Sequence, residues 1–255
     1  MDEPAHDSSR RLKLLIEYDG TDFVGWQVQP ASAGRSVQAT IQDAFRQFTG
    51  ADASVVGSGR TDSGVHARGQ VAHAIVDTSL SCEKIFEALN GILPNDIAIL
   101  RVAEAGESFH ARYSAHERRY SYTISTVPCA IDRKIAWYVR YPLDVDLMNR
   151  CSRLVVGEHD FRAFTKSTAE VDHHRCTVIL AVWERNGNKL IFRIHANRFL
   201  HNMVRALVGT MVDVGRGYLP FEQFETALRS GRRKDAGPTA PAVGLVLEEV
   251  LYVHE

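Results

Sequence analysis

The sequence predicts an α+β protein. Three observations carry that expectation. Segments alternating apolar and polar residues are interspersed with segments of helical period, without the strict strand–helix–strand order of a parallel sheet. Two alternating runs, Thr177 to Glu184 and Lys189 to His195, flank Asn186-Gly187, a hairpin turn signal. The chain has 255 residues, 45% of them hydrophobic, enough to bury a large core in one domain or two fused subdomains.

The elements follow in order. Met1 to Ser9 is polar, carries Pro4 and lacks an apolar core segment, so residues 1–10 read as a disordered tail and not a signal peptide. Arg11 to Tyr18 alternates as a strand, and Asp19-Gly20 turns it. Ser36 caps a helix from Val37 to about Phe48. Ala53 to Gly57 and Gln70 to Val76 are strands, with a sharp polar segment between them. Glu83 to Asn90 is a helix with Ile85, Phe86 and Leu89 inward; Ile97 to Val102 and Arg118 to Ile124 are strands. Helices follow at Val145 to Val155, Phe199 to Val214 and Phe221 to Leu228, and Leu245 to Val253 closes the chain as a strand. The two halves meet near residues 105–115, dividing the chain into 11–108 and 109–255. A cleft between such halves is the expected ligand site.

Net charge is −1, which argues against a generally basic nucleic-acid binder. Basic residues nonetheless cluster at Arg10, Arg11 and Lys13; Arg112, Arg118 and Arg119; Arg193, Arg198 and Arg205; and Arg229, Arg232, Arg233 and Lys234. A near-neutral protein can carry a basic groove, although a single cluster is more often a solvated face. Cys82, Cys129, Cys151 and Cys176 are scattered, which suits a reducing compartment. No apolar run reaches bilayer length, so the chain is expected in the cytoplasm. His173, His174 and Cys176 are metal ligands by type but lack a matched second cluster, and read as a polar loop entering a strand. No P-loop, nucleophile elbow or dinucleotide fingerprint is present.

The chemistry concentrates in Gly59-Arg60-Thr61-Asp62-Ser63-Gly64-Val65-His66-Ala67. Its glycines allow a sharp turn or a close approach to a ligand. Taken locally, Asp62 makes an Asx-turn more often than it does chemistry. The whole stretch, followed by Gln70-Val71, resembles the signature loop of the TruA family of tRNA pseudouridine synthases, with Ser63 where Ala is familiar. The resemblance continues through Tyr18 to Gln27, Phe109-His110-Ala111-Arg112, Arg118 to Tyr122, Gly157 to Phe161, Phe199 to Arg205 and Ala240 to Leu245. It covers nearly the whole chain, in order.

That resemblance implies a pseudouridine synthase fold: two similar α/β subdomains with a mixed, largely antiparallel sheet and a central cleft. It implies isomerisation of uridine at positions 38, 39 and 40 of the tRNA anticodon stem-loop, a homodimer, and no cofactor or metal, since the reaction involves no redox change. Asp62 is the implied nucleophile, attacking either the sugar or the uracil. Arg205 is implied to pair with Asp62, because an adjacent guanidinium favours an ionised carboxylate in a pocket. Tyr120 is implied to pack on the target base, with a proton-transfer role left open, and Arg60 to hold the flipped-out nucleotide. Two other classes compete: an RNA-binding module that needs the basic clusters but not Asp62, and a metal-dependent hydrolase.

Overall fold

The computed structural model describes residues 9–166 and 173–253. The expected tail therefore lies mostly outside the described residues. Ser9 and Arg10 correct its boundary: they already belong to a strand, opposite Asp77 and Val76. The chain divides into two compact units. The first comprises the described residues up to Ala115 together with Val253, and the second runs from His116 to Tyr252.

In the first unit, β1 (Ser9–Tyr18), α1 (Val37–Thr49), β2 (Ser54–Gly57), β3 (His66–Asp77), α2 (Cys82–Ile92) and β4 (Ile97–Glu104) follow in order. β1 lies between β4 and β3, and β3 also pairs with β2; all these pairings are antiparallel. Alternation in β1 does what the pattern demands: Leu12, Leu14, Ile16 and Tyr18 are buried. Ser36 caps α1 by accepting the Ala39 N–H at 3.3 Å, and Ser81 caps α2 in the same way through Lys84. α1 and α2 pack on each other, α2 against β4. Phe86 departs from expectation. It points outward at 36% exposure, because Ile85 and Leu89 alone occupy the inner stripe of a short helix.

The second unit contains β5 (Ala115–Ser125), β6 (Trp137–Tyr138), α3 (Val145–Leu154), β7 (Gly157–Asp160), β8 (Arg175–Asn186), β9 (Lys189–Ala196), α4 (Met203–Gly215), α5 (Phe221–Ser230) and β10 (Leu245–Tyr252). Its strand order is β10-β5-β9-β8-β7, with β6 parallel to the end of β5. β8 and β9 form the expected hairpin, Asn186 opposite Lys189 and Gly187 at φ 57°. α3 packs on β8 and on α4, and α5 against both helices. α4 is buried nearly all round, which makes it the centre of this unit.

α4 begins four residues later than the apolar spacing predicts. Asn202 sits in the left-handed region at φ 64°, the only non-glycine with positive φ among the described residues, and breaks the run from Phe199. The preceding turn is held from outside, where the Thr165 hydroxyl donates to the His201 carbonyl at 3.0 Å.

Candidate active site

The segment between β2 and β3 carries Arg60 and Asp62. Both of its ends are tied down. Ser58 N–H donates to the Val71 carbonyl at 2.7 Å, and the Ser58 hydroxyl donates to Gln70 Oε1 at 2.7 Å. The Gln70 amide in turn donates to the Gly59 carbonyl at 3.0 Å. At the far end, Gly64 N–H and the Ser63 hydroxyl both reach the Phe23 carbonyl, at 3.3 and 3.2 Å. Between them Trp26 N–H donates to the Thr61 carbonyl at 3.1 Å, and the Thr61 hydroxyl meets the buried Tyr18 hydroxyl at 2.8 Å.

The brace is therefore the segment Tyr18 to Gln27, and its close approach fixes one residue type. Gly25 has φ 113°, and a Cβ there would stand 2.7 Å from the Thr61 carbonyl oxygen. Two blocks some forty residues apart in sequence thus form one rigid support. Asp62 is carried at the turn, half-buried, where its carbonyl accepts the Val65 N–H at 3.1 Å. Arg60 is exposed beside it. The structure brings these two residues together on one loop of the first unit.

Tyr120 and Arg205 belong to the second unit. Tyr120 is on β5, opposite Ile194 on β9, with its ring edge-on to Phe199 at 5.1 Å. Tyr122, two residues along and so on the same face of β5, donates to the Pro241 carbonyl at 2.8 Å and feels the Arg205 charge. Burial pushes its phenol well above the ordinary tyrosine range. Arg205, one turn into α4, is partly buried and oriented by the chain around it. Its Nε donates to the Ala240 carbonyl at 2.8 Å and its Nη1 to Asn202 Oδ1 at 3.0 Å. The Ala240 N–H returns a bond to the Arg205 carbonyl at 3.0 Å. One turn further, Gly209 permits this approach, since a Cβ there would lie 1.9 Å from the Pro238 carbonyl oxygen. Arg205 and Gly209, four residues apart on α4, therefore share the face that meets the 237–241 segment.

Phe199, Asn202 and Ala240, which touch Tyr120 or Arg205, were left without roles by sequence reasoning. The signal for Asn202 was present only as an asparagine before an apolar run, which is an ordinary helix start. Its left-handed backbone is a tertiary fact.

Several members of the basic clusters are paired within the protein. Arg10 pairs with Glu104, Arg119 with Glu117 and Glu249, and Arg193 with Glu184. Those charges are largely spent within the protein. Arg60, by contrast, has no hydrogen-bond or ion-pair partner for its guanidinium among the described residues. No group of three His, Cys, Asp or Glu is placed to hold a metal ion among the described residues. His173 accepts the Arg175 N–H through Nδ1 at 3.2 Å, and its Nε2 lies 3.4 Å from Arg198. Cys176 is buried, which raises its thiol to about 11 and removes it from thiolate chemistry at neutral pH.

Phe109 to Arg112 is anchored on β3. The Ala111 N–H donates to Nδ1 of the buried His73 at 3.2 Å, and the His73 ring lies 4.7 Å from that of His110. Burial first, then the neighbouring His110 and Arg11, hold His73 down at about 4, against an ordinary 6.5. The unfolded chain takes up a proton here near pH 6.5, whereas the folded chain resists it until about pH 4. Stability from this residue is thus complete above pH 6.5 and lost as pH falls toward 4, by on the order of 3 kcal/mol at most. Urea unfolding between pH 7 and 4.5 should show a shallower loss in His73→Asn than in the wild type. Equal slopes would remove His73 from the acid response.

Comparison with known proteins agrees with this architecture. The family model described as tRNA pseudouridine synthase matches residues 14–114 and 152–253. The chain is 43% identical to the tRNA pseudouridine synthase A of Moorella thermoacetica, over 94% of this chain and 99% of that one. It is 42% identical to that of Brevibacillus brevis, over 95% and 100%, and 42% identical to that of Chlorobaculum tepidum, over 96% and 99%. Among solved structures, a chain of the crystal structure of a Cbf5-Nop10-Gar1 complex aligns at TM-score 0.36 and 11% identity, over 79% of this chain; the chain spans about half, 45%, of that longer one. The family match and the relatives define an RNA-modifying isomerase. The chain belongs to the tRNA pseudouridine synthase family, and its reaction is the isomerisation of uridine to pseudouridine in tRNA.

Proposed function

We propose that this chain modifies uridines 38, 39 and 40 of the anticodon stem-loop, with Asp62 as the nucleophile. The observation that carries the assignment of Asp62 is its setting. A carboxylate stands on a turn braced at both ends by Tyr18 to Gln27 and by Gln70. A catalytic group gains from such fixed support.

The reaction breaks the C1′–N1 bond, turns the uracil and joins C5 to the sugar. Bonds broken and formed balance within one nucleotide, so the scheme uses no cofactor and no metal. Asp62 attacks either the sugar or the uracil ring. Arg205 supplies its counter-charge, from a guanidinium already oriented by Ala240 and Asn202. Tyr120 packs on the uracil, supported edge-on by Phe199. Arg60 contacts RNA and holds the flipped conformation. In this scheme residues 11–108 carry the nucleophile and 109–255 the counter-charge and the aromatic. Family resemblance supports a homodimer, and four free cysteines with no apolar helix long enough to cross a membrane among the described residues support a cytoplasmic setting.

Purified protein mixed with uridine-labelled tRNA should convert uridines at positions 38–40, with affinity falling steeply as salt is raised despite the net charge of −1. Conversion at other positions would overturn the site specificity. Affinity that stays flat from low to moderate salt would remove the basic clusters from the interface.

A further inference from the structure

We propose that the second unit holds a nucleotide site apart from the catalytic residues, where an unpaired nucleotide of the tRNA stacks its base on Tyr218 and turns its phosphate to Lys234. The inference rests on tRNA being the substrate, not on the role given to Asp62. It gives a task to the cluster Arg229, Arg232, Arg233 and Lys234, which the catalytic scheme leaves idle.

A cavity of about 410 Å³ lies past the end of α4, lined by Asp213, Tyr218, Gln223, Lys234 and Pro238 among others. That is within the roughly 300–1,000 Å³ of small-molecule sites. Tyr218 is 70% exposed, yet its ring is held in place. The Tyr218 and Leu219 N–H groups both donate to the Asp213 carbonyl, at 2.9 and 3.0 Å. The Arg216 guanidinium lies over the Tyr218 ring at 4.5 Å and over the Tyr141 ring at 5.4 Å, and its Nε donates to Oδ1 of the buried Asp213 at 2.9 Å. Arg140 extends the row, 4.8 Å from the Tyr141 ring and donating to its hydroxyl at 2.8 Å. Cations and tyrosines therefore alternate, and the row ends on a ring with one face covered by Arg216 and the rest in solvent.

A ring fixed in advance loses little freedom on binding, and every base has a face to lay on it. The charges beside it select an anion. Both carboxylates at the cavity are matched, Asp213 by Arg216, and Asp235 by Arg232 and the Ser230 hydroxyl. Arg233 donates to neutral acceptors, the carbonyls of Ala236 and Gly237 and the Thr239 hydroxyl, which leave its charge in place. Lys234 is exposed and makes no hydrogen bond or close ion pair among the described residues. An ammonium of this kind binds phosphate as a point charge. An open aromatic face beside surplus positive charge is what a single-stranded nucleotide, a base joined to a phosphate, fits. A paired base has both faces covered by its neighbours in the helix, so the nucleotide taken here is an unpaired one.

The test measures equilibrium affinity of the full chain for a tRNA transcript whose target uridines are replaced by cytidine, so that no turnover intervenes. Tyr218→Ala should bind it roughly tenfold more weakly. Tyr218→Phe keeps the ring and should bind like the wild type. Lys234→Gln should lose less, and should reduce the slope of log affinity against log salt by about one, a slope that Tyr218→Ala leaves unchanged. On unsubstituted tRNA, with enzyme above its dissociation constant, all three variants should convert uridine at the wild-type rate, because the site lies apart from the reacting atoms. Tyr218→Ala binding as tightly as the wild type, or Tyr218→Phe losing as much as Tyr218→Ala, would overturn the proposal. Adenosine monophosphate that binds the wild type in equilibrium dialysis and is lost in Tyr218→Ala, with tRNA affinity unchanged, would make this a site for free nucleotides and overturn it. A change in the solution mass of Tyr218→Ala without RNA would give the surface to a second copy of the chain and overturn it equally.

Discussion

Asp62→Ala should abolish pseudouridine formation, by roughly 10⁴-fold or more, while leaving the fold intact. The size follows from losing a covalent nucleophile, for which no neighbouring group substitutes. The intact fold follows from what holds the loop. Its ties are made by the backbone and by the side chains of Ser58, Ser63, Thr61 and Gln70, all of which alanine at position 62 keeps, as it does the Asp62 carbonyl that accepts the Val65 N–H. The melting curve of the variant should overlay that of the wild type within the scatter of a surface substitution. The wild type should turn over equally with and without a chelator. Measurable turnover by purified Asp62→Ala would sink the nucleophile assignment. Loss of wild-type activity on chelation would restore the metal-dependent alternative.

Arg205→Met and Tyr120→Ala should both cut single-turnover rates severely while changing tRNA affinity much less. A single pocket charge adds little to a broad phosphate footprint, so binding and chemistry separate. Arg205→Met also loses the hydrogen bonds to Ala240 and Asn202, worth about 1–2 kcal/mol of stability. The assay must therefore run well below its melting temperature. Tyr120→Phe distinguishes two roles. The ring and its edge-on contact with Phe199 survive, and only the hydroxyl goes. If stacking dominates, this variant keeps substantial activity. If the hydroxyl also moves a proton, it slows by about 10²-fold or more. With enzyme held above its dissociation constant, near-normal rates for both Arg205→Met and Tyr120→Ala would remove both residues from the active site.

Much of this architecture was legible because local rules and tertiary environment agree. β1 reads as a strand from alternation, and its apolar side is the buried side. Ser36 reads as a cap and caps. Asn186-Gly187 reads as a hairpin, and the strands around it pair in register. The loop around Asp62 was legible only as wording, since its glycines and Asp would suit any tight turn. What makes it a support is the Phe23 carbonyl, the Trp26 N–H and the Tyr18 hydroxyl, all supplied from another segment.

The sequence by itself determined the α+β class, the cores of most elements and, through its motifs, the family. Periodicity and capping act over a few residues, so they are written in the order of residues. Tertiary structure alone decided the rest. It started α4 at Met203 by turning Asn202 left-handed, and extended β3 back to His66 because β1 offers partners there, Ala67 opposite Tyr18. It added the short β6 and β7, two and four residues long, which no local pattern could announce and which exist through pairing with β5 and β8. It turned Arg205 and Gly209 of α4 toward the 237–241 segment, and it set Arg112 beside the same cleft as Arg60. Each of these depends on backbone groups and charges brought together from distant parts of the chain, and a contact of that kind has no signature in the sequence on either side of it.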